Sequence, residues 1–272
     1  MKLNGLRQAK ENNTNPKDEM AKMKTFAVAN QKGGVAKTTS AINIGHALAL
    51  KGKRVLLIDL DPQASLTVSL GFDPDSYELT IYDVLKTETD LASVIIERAP
   101  FDYVPANLEM ADADLNLGGK TGHEFRLVES LNSVSRKYDY CLIDCPPGLG
   151  VLTLNAFVSA NAILLPISAD YLATRGTKQL LNIYDDVKKY YNKGLKIGGA
   201  FVTRFEGQTV LAREVLEYVA DEFKGSTFKT IIRKNVALAE APAQGKTIFE
   251  YEPKSNGAKD YQALTDEILK VK

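Results

Sequence analysis

The run Ala27-Val28-Ala29-Asn30-Gln31-Lys32-Gly33-Gly34-Val35-Ala36-Lys37-Thr38-Thr39 sets two glycines, two lysines and two threonines between an apolar stretch and an apolar-periodic segment from Ala41 to Leu50. That order reads strand, phosphate loop, helix. Gly33 and Gly34 lack side chains, so their N–H groups can close around phosphate oxygens. Lys37 would reach the β- and γ-phosphates of a nucleotide, and the Thr38 hydroxyl would ligate Mg²⁺. The helix that follows turns its positive end toward the same phosphates. The expected nucleotide contacts are Lys32, Gly33, Gly34, Val35, Ala36, Lys37, Thr38 and Thr39. The usual pattern G-x-x-x-x-G-K-[ST] is broken at both fixed glycines, where Gln31 and Ala36 stand. If position 36 needs a positive φ, Ala costs roughly 1–2 kcal/mol relative to Gly.

Two acidic motifs follow. Ile58-Asp59-Leu60-Asp61-Pro62-Gln63 closes an apolar run, at the strand edge where α/β sheets bind ligands. One carboxylate could hold Mg²⁺ through water while the other positions an attacking water. An Asx turn ended by Pro62 is the plainer alternative. Tyr140-Cys141-Leu142-Ile143-Asp144 leads into Cys145-Pro146-Pro147-Gly148. This layout puts Asp144 in reach of Mg²⁺ and adds a loop that can sense the γ-phosphate.

Lys32-Gly33-Gly34 resembles the deviant Walker A loop, K-G-G-x-G-K-[ST], of the ParA/MinD family of ATPases, with Ala36 a departure from it. Asp59–Gln63 resembles that family's switch I, and Asp144–Pro147 its D-x-P-P motif. The segment from Ile231 to Lys246 looks like that of the Soj-like ParA proteins, and the resemblance covers residues 24–270. It implies a P-loop NTPase fold and a Mg²⁺-dependent ATPase that is slow without a partner. Lys32 then reaches across a nucleotide-sandwich dimer to the partner's ATP and acts with Lys37 and Asp61 in catalysis. Asp61 orients the hydrolytic water, and Asp59 supports a metal site formed with Thr38 and Asp144. Ser168-Ala169-Asp170-Tyr171 would approach the dimer face, and the loop after the last strand would lie over the adenine.

The resemblance also implies a cycle. An ATP-driven homodimer binds double-stranded DNA without sequence preference, and a ParB-like or other adaptor stimulates hydrolysis and release. Plasmid or chromosome would be the cargo and the nucleoid the location. Where relatives carry arginine, this chain has Asp185 and Gln208, so the DNA contacts are expected from Arg175, Lys178, Arg204 and Arg213. Two other readings stay open. One is a MinD-like ATPase that cycles on membranes, against which the mixed charges of the C-terminal helix speak. The other is a scaffold or regulator that binds ATP with negligible hydrolysis, which Ala36 keeps open.

These residues need a scaffold. Strands are predicted over 25–30, 54–59, 101–105, 139–144, 162–167, 197–203 and 228–232. Helices are predicted over 38–51, 109–117, 123–136, 150–160, 175–192, 209–222 and 257–270. Runs such as Val55-Leu56-Leu57-Ile58 are apolar on successive residues, as in a parallel sheet covered on both faces. The pattern predicts a doubly wound, mostly parallel α/β sheet flanked by helices, one domain over 24–272 after a polar extension over 1–23. The 272 residues are 44% hydrophobic and 25% charged, enough for a sizeable core. Formal net charge is +0, so overall charge lends nucleic-acid binding no support and any basic patch must be local. Cys141 and Cys145 form no disulfide framework or zinc pattern and are expected as buried small apolar residues. No apolar run reaches membrane-spanning length, no signal peptide is evident, and a cytoplasmic location is expected.

Overall fold

The computed structural model describes residues 23–87, 89–169, 174–207 and 209–271, with the backbone alone for 174–176. Six strands form one sheet: β1 (Lys24–Val28), β2 (Val55–Asp59), β3 (Asp102–Val104), β4 (Tyr140–Asp144), β5 (Ala162–Ser168) and β6 (Lys196–Thr203). Their order is β3-β2-β4-β1-β5-β6, and every adjacent pair is parallel. From β1 the chain goes out to β2 and β3, returns to place β4 between β2 and β1, and then runs the other way through β5 and β6, so the strand carrying the phosphate loop sits at the switch point where open α/β sheets open a crevice.

The helices are α1 (Lys37–Leu50), α2 (Ser65–Ser69), α3 (Ile81–Thr87), α4 (Leu91–Val94), α5 (Ala113–Leu117), α6 (Arg126–Val134), α7 (Val151–Ser159), α8 (Thr174–Tyr190), α9 (Val210–Glu222), α10 (Val236–Glu240), α11 (Ile248–Tyr251) and α12 (Asn256–Ile268). Successive strand residues point to opposite faces. Phe26, Val28, Leu57, Leu142 and Leu164 join α1 and α12 in one core, while Ala27, Ile58, Ile143, Ile163 and Leu165 join α6 to α9 in the other. Both faces are therefore dry, which is why the strands read as unbroken apolar runs. Gly45 lets α1 lie close on β2, since a Cβ there would stand 2.7 Å from a Leu57 methyl.

The predicted strand over 228–232 does not form. This segment runs beside β6 and pairs with the preceding chain through isolated bridges, at Ala200–Thr227 and Phe205–Arg233, and one bond between them from Ile232 N to Val202 O at 2.8 Å. Between them the N–H groups of Lys229 and Thr230 donate to the Glu267 carboxylate of α12, at 2.9 and 2.8 Å. A distant side chain has taken the donors that a ladder would have used. The predicted helices over 109–117 and 123–136 each begin with a tight 3₁₀ turn, Leu108–Asp112 and His123–Phe125. Cys141 and Cys145 are free and buried as expected, and burial pushes both thiols up. Tyr261, Leu264 and Ile268 give the apolar stripe of α12 to the core, and no described helix is long and apolar enough to cross a membrane.

One buried contact ties α1 to the chain before α11. His46 Nδ1 lies 2.7 Å from Thr247 Oγ1, and Asn43 Oδ1 accepts from Ile248 N at 2.9 Å. Thr247 Oγ1 also accepts from Glu250 N, so its proton is available to a neutral imidazole. Burial holds His46 below its ordinary value. Its contribution to stability is thus fully present above about pH 6.5 and is lost as pH falls through the lowered folded value. Acidification from pH 7 to 5 is expected to lower the thermal midpoint more in the native chain than in His46→Asn. A difference of about 1 kcal/mol would read as roughly 2–4 °C by calorimetry for a chain of this size. Equal slopes would remove His46 as the titrating group.

Candidate nucleotide site

Parallel register aligns the ends of three central strands. Val28 of β1 and Asp59 of β2 both pair with Asp144 of β4. The loop over 29–36 leaves that row at its middle. Asn30 staples the start of the loop, donating to Pro166 O at 2.8 Å and accepting from Lys32 N at 3.0 Å. Thr203 Oγ1, at the end of β6, donates to Val35 O at 3.1 Å. Gly34 and Ala36 both adopt the left-handed conformation, with φ of 74° and 67°. Ala36 thus carries the backbone strain expected of a non-glycine residue there, and its carbonyl accepts the first helical bond from Ser40 N at 2.9 Å.

Lys37 is buried, and its ammonium donates to Lys32 O at 3.1 Å. Burial lowers its proton affinity, while the charges of Asp144, Asp61 and Cys145 raise it in turn. Thr38 Oγ1 donates to Asp144 Oδ2 at 2.6 Å. The other Asp144 oxygen, Oδ1, is buried with no hydrogen-bond partner. Burial first, then the charge of Asp59, pushes the Asp144 carboxyl well up. An orphaned carboxylate oxygen beside a threonine hydroxyl suits a hard cation, which would satisfy the oxygen and favour the ionised form. The residues present therefore fit Mg²⁺, held by one carboxylate, one hydroxyl and phosphate oxygens.

Asp59 is engaged otherwise. Its Oδ2 accepts from Thr67 N and Thr67 Oγ1 at 2.9 and 2.8 Å, and Oδ1 accepts from Asp61 N at 3.3 Å. It shapes the turn into α2, and burial pushes its carboxyl up to about 7 against those bonds. Asp61 stands at the cleft wall, where Oδ1 accepts from Gln63 N at 3.0 Å. Its Oδ2 has no protein donor among the described residues, which leaves an acceptor for a water.

The cleft holds about 670 Å³. Gly33, Gly34, Ala36, Lys37, Thr38 and Thr39 line one end, with Asp61, Gln63 and Pro147 beside them. Ile232 to Val236, Leu238, Ala239 and Tyr261 line the other. Sequence reasoning missed Tyr261, Ser65, Ser69 and Thr203, which belong to this wall only through tertiary packing. Arg204, expected at a DNA surface, lines the cleft at the end of β6. Lys178 on α8 and Arg213 on α9 are exposed, whereas the Arg175 side chain, Asp170, Tyr171 and Gln208 lie outside the described residues.

A phosphate loop at the switch point of a parallel sheet, with a carboxylate aligned beside its threonine, defines a P-loop nucleotide-binding protein. Residues 23–197 match the family model described as an AAA domain. The chain is 41% identical over 249 residues to the sporulation initiation inhibitor protein Soj of Bacillus subtilis, covering 90% of this chain and 98% of that protein. It is 40% identical over 248 residues to the chromosome-partitioning ATPase Soj of Treponema pallidum, covering 90% and 97%. A crystal structure titled cobyrinic acid a,c-diamide synthase from Mycobacterium smegmatis, with bound ATP analogue and magnesium, superposes with a TM-score of 0.81. The two are 37% identical, over 91% of this chain and 94% of that one. The chain belongs to the Soj/ParA family of partitioning ATPases.

Two variants probe the loop. Lys37→Ala is expected to abolish ATP binding, because the ammonium facing the terminal phosphates is lost; unchanged affinity by equilibrium dialysis would contradict the loop assignment. Ala36→Gly is expected to relieve the left-handed strain. It should raise the thermal midpoint by roughly 2–4 °C per kcal/mol gained, net of the added freedom of the unfolded chain. A lower midpoint would mean that the methyl group makes a compensating contact.

Proposed function

We propose that the chain is a DNA-carrying partition ATPase whose ATP-bound form is a homodimer. The observation that carries this reading is a cleft lined by Lys37, Thr38 and Asp61, with Asp144 bonded to Thr38 behind it, in a chain about 40% identical to the two Soj proteins. ATP enters with its phosphates on Gly33–Thr39. Thr38 and Asp144 would hold the cation, which would supply charge neutralisation to the phosphates. Asp61 accepts from a water and aims it at the γ-phosphorus in line with the leaving oxygen, and Asp59 keeps the Asp61 turn in place. Lys37 balances charge on the oxygens as the bond loosens. Lys32, half-buried at the rim, is the residue that would reach a second copy's nucleotide. Pro147 and Gly148 follow Asp144 and so are set to move with the γ-phosphate.

In this reading duplex DNA meets Lys178, Arg213 and the Arg175 position, doubled in the dimer. Arg204 belongs with the nucleotide. A ParB-like or other adaptor would stimulate hydrolysis and release, and plasmid or chromosome would be the cargo. The superposed structure is named as a diamide synthase rather than a partition protein. The partition reading rests on the two Soj relatives, 41% and 40% identical against 37% for that structure.

The test uses Asp61→Ala, expected to bind ATP, dimerise and turn over very slowly. The trapped dimer should bind unrelated duplexes equally, with a log–log salt slope of about −0.9 per phosphate neutralised. Charge reversal at Lys178 and Arg213 together should weaken binding to all sequences alike and leave dimerisation intact. No duplex binding by the trapped dimer at low salt would contradict the DNA-carrier reading.

A further inference from the structure

The loop over 145–150 joins β4 to α7 and brings Pro147 to the cleft wall. Its near end is fixed by Cys145 N, which donates to Val28 O at 3.1 Å. Its middle has little to hold it. Pro146 and Pro147 carry no N–H to donate, and the N–H groups of Gly148, Leu149 and Gly150 have no protein acceptor among the described residues. The loop therefore takes its position from its two ends. At the far end Thr153 Oγ1, in the first turn of α7, donates back to Gly148 O at 2.6 Å. The placement of Pro147 and Gly148 thus depends on what holds the start of α7.

That helix starts at Gly150, which has no side chain to cap it. The cap comes from another element. Asp114 of α5 accepts from Val151 N through Oδ1 at 2.6 Å. A carboxylate there satisfies one orphan N–H and meets the positive end of the helix. The seat is close-fitting: a Cβ on Gly150 would stand 2.3 and 2.4 Å from the two Asp114 carboxylate oxygens. Glycine at 150 is needed for that contact and not for backbone handedness, since its φ is −88°. Asp114 is itself anchored, because Ala113 and Leu117 of α5 are buried in the core on the α6-to-α9 side of the sheet. The phosphate-binding loop is held by other contacts, from Asn30 and Thr203. What Asp114 fixes is therefore separable from the seat of the phosphates.

We propose that Asp114 is a positioning residue for ATP hydrolysis: seated on Gly150 and bonded to Val151 N, it sets where Pro147 and Gly148 stand against the cleft. A loop freed at its far end must be ordered anew in each turnover, and that cost falls on the chemical step rather than on affinity. The inference rests on the reading of the cleft as an ATPase site and is independent of DNA.

The experiment measures kcat at saturating ATP and the ATP dissociation constant of the full chain, well below the thermal midpoint of each variant. Asp114→Ala removes the cap from one side. Gly150→Ala removes it from the other, since the new methyl group displaces the Asp114 carboxylate. Each is expected to lower kcat about fivefold, the size of one lost helix cap, and to keep ATP affinity within about twofold. Asp114→Asn keeps an acceptor oxygen and should hold kcat within about twofold of the native chain. The double variant Asp114→Ala with Gly150→Ala should be no slower than either single one, because both break the same contact. If Asp114→Ala fails to fold, Gly150→Ala carries the comparison. Native kcat in the alanine variants would overturn the proposal, as would an equal loss in Asp114→Asn, or a loss of ATP affinity that matches the loss of kcat. A native chain that binds ATP without turning it over would bring down the ATPase reading, and the proposal with it.

Discussion

The hydrogen bond from Thr38 to Asp144 is the contact on which the rest of the site depends. It joins the first turn of α1 to the end of β4, and the parallel register makes it possible by ending β1 and β4 in one row. A one-residue slip between these strands would turn Asp144 to the opposite face. That slip is opposed by both cores, because it would also invert Leu142 and Ile143. Burial of apolar side chains on two faces therefore fixes a carboxylate oxygen beside a hydroxyl. Each such side chain is worth about 1.5–3 kcal/mol.

Electrostatics point the same way. Asp59 and Asp144 are both fully buried and occupy one row, and each resists ionisation mainly through burial. Asp59 tolerates this because Thr67 and Asp61 supply donors. Asp144 has Thr38 on one oxygen and no protein partner on the other, which leaves that oxygen available to a cation. Lys37 answers part of the charge but keeps its own bond to Lys32 O. The site thus holds an uncompensated acceptor and, beside the loop, an ammonium, at the cost of strain at Ala36.

Much of this was legible in the sequence because it is local. The glycine pair with Lys37 and Thr38, the Asp59–Gln63 turn and the Asp144–Gly148 exit each lie within a few residues, and apolar runs reported a sheet buried on both faces. What was illegible came from long range. Glu267 captures the N–H groups of Lys229 and Thr230 from 38 and 37 residues away, and no local pattern around 228–232 records that. The short helices α2, α4, α10 and α11 have four or five residues each, too few for a periodic signal. Tyr261 stood inside the predicted helix over 257–270, and Arg204 read as a DNA contact, because only the folded chain brings them to the cleft.

The central claim is that Asp144 is paired with Thr38 in order to take a divalent cation with the nucleotide. It is tested most directly by titrating ATP into the native chain and Asp144→Asn, each with and without Mg²⁺. The account predicts that Mg²⁺ strengthens ATP binding in the native chain and that most of this gain disappears in the variant, while both stay folded. An equal gain in the two proteins would contradict it.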